Sequence, residues 1–215
     1  MPESKPTLTL ITDRSLCAGS LLDAVRKATI VGGADIVQLR EKDLDARELL
    51  ELAAAIKEIT SETGAKLIVN HSIDVALTVD ADGIHLGWRS LMPEDVRELL
   101  GPDKLVGVSV HSLMELLGAE YGGADYVQFG PIFDTPSKRG LVEPLGVDVI
   151  RRAKEKATIP VTVVGGIKEE NAADVSAAGA DGIAVISAIL SAPDPQVAAC
   201  RLKREQQFGA LKRNA

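Results

Sequence analysis

Gln38-Leu-Arg-Glu-Lys42 places an amide and two cations at alternate positions. Side chains alternate along an extended strand, so Gln38, Arg40 and Lys42 share a direction there. Such a row can hold an anion, although Lys42 also fits a solvated loop charge. Val164-Gly-Gly166 and Ile186-Ser187 offer a second anion site. Glycines let backbone N–H groups approach a phosphate, and a helix start favours negative charge; a plain turn is the other reading. The segment Gly130 to Gly146 carries Thr135, Ser137, Lys138 and Arg139 among prolines and glycines. It is too long for an ordinary strand-to-helix connection. It reads either as a lid bringing hydroxyls and cations to a phosphorylated ligand or as an irregular surface loop. His71, one of three histidines, follows a short apolar run. Its imidazole titrates near neutrality, so metal binding, proton transfer and a loop contact are all open to it.

These residues sit at the ends of recurring apolar runs. The runs are Leu8–Ile11, Ile36–Leu39, Leu67–Val69, Ile84–Leu86, Leu105–Val108, Tyr126–Phe129, Val161–Val164 and Ile183–Ile186. Helix-like segments separate them. The clearest runs from Leu44 to Thr63, with Leu49, Leu52, Ala53, Ile56 and Ile59 on one face. Gly64 is its expected C-terminal cap, and Gly101, Gly122 and Gly179 are expected to end other helices. Strands alternating with helices imply a parallel sheet. Alternate strands also echo one another: Ala34-Asp-Ile-Val-Gln-Leu-Arg40, Ala81-Asp-Gly-Ile-His-Leu-Gly87, Ala124-Asp-Tyr-Val-Gln-Phe-Gly130 and Ala180-Asp-Gly-Ile-Ala-Val-Ile186. A fourfold echo closes naturally into a single α/β domain, a (β/α)8 TIM barrel of parallel strands over residues 1–215. One parity of each strand is apolar and should face the helices. The other gives Gln38, His85, Gln128 and Ala184, one expected interior layer near the C-terminal face where barrel active sites lie. His85 is expected to bond a neighbouring glutamine there, because buried polar groups need partners. The segment from Arg201 to Ala215, rich in Lys and Arg, is expected to be a basic tail, a fraying helix with a solvated end.

Composition bounds the function. Apolar residues make up 46% of the 215 residues and aromatics 3%, which gives a full but aliphatic core. A net charge of −7 argues against a nucleic-acid surface. The N-terminus has no apolar signal-peptide region and no run reaches membrane-spanning length. Cys17 and Cys200 make no ligand pattern and read as reduced thiols of a cytoplasmic protein. The residues thus point to a barrel enzyme handling phosphate esters or diphosphates.

Taken together and in order, the motifs resemble the thiamine-phosphate synthase family, which includes the thiazole tautomerases. The resemblance spans nearly the whole chain. It rests on Gln38-Leu-Arg-Glu-Lys42, Asn70 with Ile73-Asp-Val-Ala-Leu77, Asp82-Gly-Ile-His-Leu-Gly87, Gly107-Val-Ser109 and Ala124-Asp-Tyr126. It continues through Phe129-Gly-Pro131, Thr135-Pro-Ser-Lys138, Val164-Gly-Gly-Ile167 and Ala180 to Ser187. The synthase is a transferase of thiamine biosynthesis that joins an aminopyrimidine diphosphate to a thiazole phosphate and releases pyrophosphate. The resemblance implies that Gln38, Arg40, Lys42, Asn70, Ser109 and Lys138 hold the pyrimidine diphosphate. It implies that Thr135, Ser137, Gly166, Ile186 and Ser187 hold the thiazole phosphate. Lys138, Arg40 and His71 are the candidate catalytic residues.

The chain departs from the family pattern where magnesium (Mg2+) is held. Two aspartates are expected, one after the Asn of the third strand and one shortly after the Gly of the fourth; His71 and Ser90 stand there. Magnesium-dependent activity, slower than that of a two-aspartate enzyme, is the expectation. The tautomerase is the rival reading, but its pattern carries a histidine where this chain has Pro131. A phosphate-binding homologue without catalysis is a third. An aldolase would need a strand-end lysine for a Schiff base, which Lys138 in mid-loop does not provide. The expected partners are the small phosphorylated substrates, with self-association into a homo-oligomer left open.

Overall fold

The computed structural model describes residues 6–87, 89–136 and 142–213. Eight strands, β1 (Thr7–Ile11), β2 (Ile36–Leu39), β3 (Lys66–Asn70), β4 (Gly83–Leu86), β5 (Leu105–Val110), β6 (Tyr126–Phe129), β7 (Val161–Val164) and β8 (Gly182–Val185), alternate with helices. The helices are α1 (Leu21–Ile30), α2 (Ala46–Thr63), α3 (Ile73–Thr78), α4 (Pro93–Leu100), α5 (Leu113–Tyr121), α6 (Asp148–Lys154), α7 (Glu169–Ala177), α8 (Ser187–Leu190) and α9 (Pro195–Arg213). The strands form a closed parallel barrel in sequence order, with β8 pairing back onto β1. Every expected run is a strand, with bounds differing by no more than a residue or two. The helix expected from Leu44 starts at Ala46, because Asp45 caps it: its carboxylate accepts from the Arg47 and Glu48 amides, and Glu48 accepts from Asp45 in return. Gly64 ends it in the left-handed region at φ 76°. Gly122 does not take that role after α5; its φ is −74°, and Gly123 makes the left-handed step instead at φ 85°.

Strand parity sorts the core. Val37, Leu39, Val127, Phe129, Ile183 and Val185 pack outward into the buried layer shared with the helices, and Ile84 and Leu86 do so in a smaller cluster with Val96 and Val106. Gln38, His85, Gln128 and Ala184 are each buried on the opposite parity, inside the barrel.

The echoing Ala-Asp pair has a structural reason at the other end. Each repeat aspartate precedes an even strand and accepts the backbone N–H of the strand before it. Leu8 N donates to Asp35, Leu67 N to Asp82, Val106 N to Asp125 and Val161 N to Asp181, at 2.7–2.8 Å. The same carboxylate oxygens receive Lys203, Lys57, Arg97 and Lys154. A cation and an amide on one oxygen make a charge-assisted clamp at the N-terminal rim of each strand pair.

One of these cations corrects the expected C-terminal tail. The residues from Arg201 continue α9 to Arg213, and Leu202, Gln206 and Gly209 are buried. Lys203 also donates to the Pro6 carbonyl, and Gln206 Nε2 donates to the Thr7 carbonyl at 2.8 Å. A Cβ at Gly209 would lie 2.1 Å from the Ala173 carbonyl oxygen, so α9 seats its backbone directly on α7. The Lys and Arg content suggested a solvated end, but the apolar and small residues between the charges form a docking stripe.

Candidate active site

The C-terminal mouth of the barrel has a polar floor. β2 and β6 are opposite strands, and Gln128 Nε2 donates to Gln38 Oε1 at 2.6 Å across the barrel. Gln38 Nε2 in turn donates to Asn70 Oδ1 at 3.2 Å. The expected glutamine partner of His85 is therefore not available, because the two glutamines bond each other. His85 instead meets Tyr126 and Ser109: Nδ1 lies 3.2 Å from the Tyr126 hydroxyl and Nε2 lies 2.8 Å from Ser109 Oγ. Burial, with smaller contributions from His71 and Arg40, pushes the His85 pKa down to about 3, and burial raises that of the Tyr126 phenol. Both groups are neutral at pH 7.

Arg40 continues the Gln38 row onto the rim, where it is half-buried. Burial lowers its pKa, opposed by Asp13 and Glu41. Its N–H donates to Thr12 Oγ1 at 2.9 Å, tying the end of β2 to the end of β1. Glu41 turns away from the rim and is buried against Arg14, whose backbone N–H and guanidinium both bond it. Arg14 also holds Asp43 at 2.7 Å. The two acids of the motif region are thus engaged on one arginine, and Lys42 stands exposed between them.

His71 and Ser90 come together, as their shared place in the family pattern requires. His71 adopts a left-handed backbone, φ 65°, with its amide donating to the His85 carbonyl. Its ring lies over Gly87, where a Cβ would sit 2.7 Å from Cε1. Ser90 Oγ accepts from the Gly87 amide at 3.0 Å and lies 2.5 Å from His71 Nδ1. Burial, then the charges of Arg40 and Lys42, lower the His71 pKa. The pair offers an imidazole and a hydroxyl already bonded to each other, whereas magnesium prefers several oxygen ligands, carboxylates among them. Among the described residues no group of three or more His, Cys, Asp or Glu side chains gathers. His71 and Ser90 do not fit a magnesium ion.

On the far side of the mouth, β7 is followed by Gly165 and Gly166, at φ 96° and 65°. Side chains at either would collide with the segment after β6: a Cβ would lie 2.6 Å from the Pro131 Cα and 2.6 Å from the Asp134 carbonyl oxygen respectively. Ile132 and Phe133 donate to the Val164 and Gly165 carbonyls, and Leu145 and Gly146 donate to those of Pro131 and Ile132. The segment expected as a lid is therefore anchored at both of its described ends. Thr135 lies between them, half-buried. Ser137, Lys138 and Arg139 fall outside the described residues, as does Trp88. In the adjacent strand connection α8 opens at Ser187, with its first bonds closing on the Ile186 carbonyl.

Tyr126 and Glu41 escaped the sequence reading. Tyr126 lies two residues before Gln128 on the same inward parity, and it faces Gly107, which has no side chain to oppose it. That pairing of a large residue with a glycine was the available signal. Nothing in the sequence marks Glu41 as buried.

A closed eight-stranded parallel barrel with its polar constellation at the C-terminal mouth defines a (β/α)8 enzyme. The family model described as thiamine monophosphate synthase matches residues 8–189. Thiamine-phosphate synthase from Chloroflexus aurantiacus is 46% identical over 196 residues, 91% of this chain and 90% of that protein. Its counterpart from Moorella thermoacetica is 48% identical over 182 residues, 85% and 86% of the two chains. The solved thiamine phosphate pyrophosphorylase from Pyrococcus furiosus superposes with a TM-score of 0.87 at 38% identity, covering 95% of this chain and 97% of that one. The chain belongs to the thiamine monophosphate synthase family.

Proposed function

We propose that this chain is a thiamine-phosphate synthase that binds an aminopyrimidine diphosphate and a thiazole phosphate in one barrel mouth. The observation that carries the reading is the continuous row from the Gln128–Gln38–Asn70 floor to the half-buried Arg40. In this reading the floor amides meet the pyrimidine, while Arg40, Lys42, Ser109 and Lys138 meet the diphosphate. Thr135, Ser137, Gly166, Ile186 and Ser187 meet the thiazole phosphate. The bond from the pyrimidine methylene carbon to the diphosphate oxygen breaks, and pyrophosphate leaves with the electron pair. The thiazole nitrogen lone pair then forms the new C–N bond, already aligned by its phosphate tether. A cation partly withdrawn from water stabilises the charge on the departing oxygens more strongly than a solvated one. No protein nucleophile is required.

Magnesium in this family would neutralise the leaving diphosphate. His71 and Ser90 do not supply its ligands, so no step here passes through it. We read the neutral His71 ring as a polar contact beside the diphosphate, not as the general acid. Pro131 in place of the tautomerase histidine favours coupling over proton shuttling. The two free thiols, Cys17 and Cys200, suit a cytoplasmic location, and no described helix is long and apolar enough to cross a membrane. Mixing the two substrates should yield thiamine phosphate and pyrophosphate in equal amounts. No thiamine phosphate, alongside interconversion of a thiazole carboxylate phosphate, would move the chain to the tautomerase reaction.

A further inference from the structure

Ser109 ends the inward face of β5 with its hydroxyl 2.8 Å from a buried histidine that the coupling reaction does not use. Proton accounting along this chain of groups has one solution. The Tyr126 hydroxyl is buried and needs an acceptor; among the described residues its partner is His85 Nδ1. A neutral imidazole carries one N–H and one acceptor nitrogen. With Tyr126 donating, Nδ1 is the acceptor and the proton sits on Nε2. Nε2–H then donates to Ser109 Oγ, and the serine proton must point elsewhere. The opposite tautomer would take the serine proton inward and leave the phenol O–H with no acceptor among the described residues.

The local packing serves this arrangement. A Cβ at Gly107 would sit 2.1 Å from Tyr126 Cζ and 2.4 Å from its hydroxyl oxygen. Gly107 is the register neighbour of both His85 and Tyr126. The glycine lets the phenol lie across β5 and reach the histidine on β4.

We propose that Tyr126 and His85 are positioning residues that fix the Ser109 hydroxyl as an outward hydrogen-bond donor to the diphosphate of the substrate. The proposal rests on the reading of Ser109 as a diphosphate contact. The fixed donor matters because a hydroxyl can equally turn a lone pair outward, and a lone pair repels an anion. Pre-orientation removes that wrong state before the ligand arrives.

Two measurements test it, with inorganic pyrophosphate as the probe and the full chain as the protein. Nitrogen-15 NMR of the unliganded wild type should show His85 as the Nε2–H tautomer. Pyrophosphate affinity should fall on the order of tenfold in Ser109→Ala, the loss of one bond to a charged group. It should fall several-fold in Tyr126→Phe. The double variant should be no weaker than Ser109→Ala, because Tyr126 acts only through the serine. A purely packing role for Tyr126 would instead lower affinity equally in both backgrounds. An Nδ1–H ring, or additive losses, overturns the relay and leaves the synthase reading intact. An unchanged affinity in Ser109→Ala removes Ser109 from the diphosphate site, and the proposal with it, whatever the tautomer.

Discussion

At the scale of single residues, His85 joins stability to pH. Its pKa is about 3 in the folded barrel, against 6.5 in the unfolded chain. Between those values the unfolded chain binds a proton that the folded one refuses. The stabilisation is present above pH 6.5 and is lost as pH falls towards 3. From pH 7 to pH 5 that loss amounts to roughly 2 kcal/mol. Denaturant unfolding at the two pH values should show it, and His85→Gln should flatten the slope; an equal slope in the variant would contradict the buried neutral ring. The metal question belongs to the same scale. His71→Asp combined with Ser90→Asp should raise the affinity for magnesium in the presence of pyrophosphate, as titration calorimetry would show. Unchanged affinity would mean that the ion, where it binds, sits elsewhere. Sequence parity placed Gln38, His85 and Gln128 inside, since alternation needs only the strand. It could not choose their partners, because bonds across the barrel depend on which strands stand opposite. That is why the glutamines pair with each other and His85 finds Tyr126 and Ser109.

At the scale of elements, the repeated aspartates explain why the echo exists at all. Each holds the start of one strand to the start of the next, far from the mouth. Asp181 accepts from Val161 N at 2.7 Å and from Lys154 at 2.6 Å. Asp181→Ala should cost about 2 kcal/mol in denaturant unfolding, with activity per folded molecule unchanged. Asp181→Asn keeps an acceptor for the amide and loses only the partly exposed ion pair, so it should cost less. Equal costs would put the whole effect on Lys154. The echo was legible as a closure signal, but not as a clamp, because the cations come from residues outside the repeat, such as Lys57, Arg97 and Lys203. α9 was misread for a related reason. Its charged residues dominate its composition and suggest solvent, while Leu202, Gln206 and Gly209 are buried and Lys203 is itself bonded to Asp35 and the Pro6 carbonyl.

At the scale of the whole molecule, closure brings Arg40 after β2, Asn70 of β3 and Ser109 of β5 to one mouth and the glycine pair after β7 to its far side. In a chain of net charge −7, Arg40 and Lys42 supply the local positive charge that the proposed anionic substrate would need. Arg40 is the member both aligned with the floor and partly withdrawn from water. The most direct measurement is single-turnover coupling of pyrimidine diphosphate with saturating thiazole phosphate, in the wild type and in Arg40→Ala, with folding verified by circular dichroism. Loss of a preorganised charge at the leaving group should slow thiamine phosphate formation on the order of a hundredfold or more. An Arg40→Ala protein that is folded and couples at the wild-type rate would contradict the account.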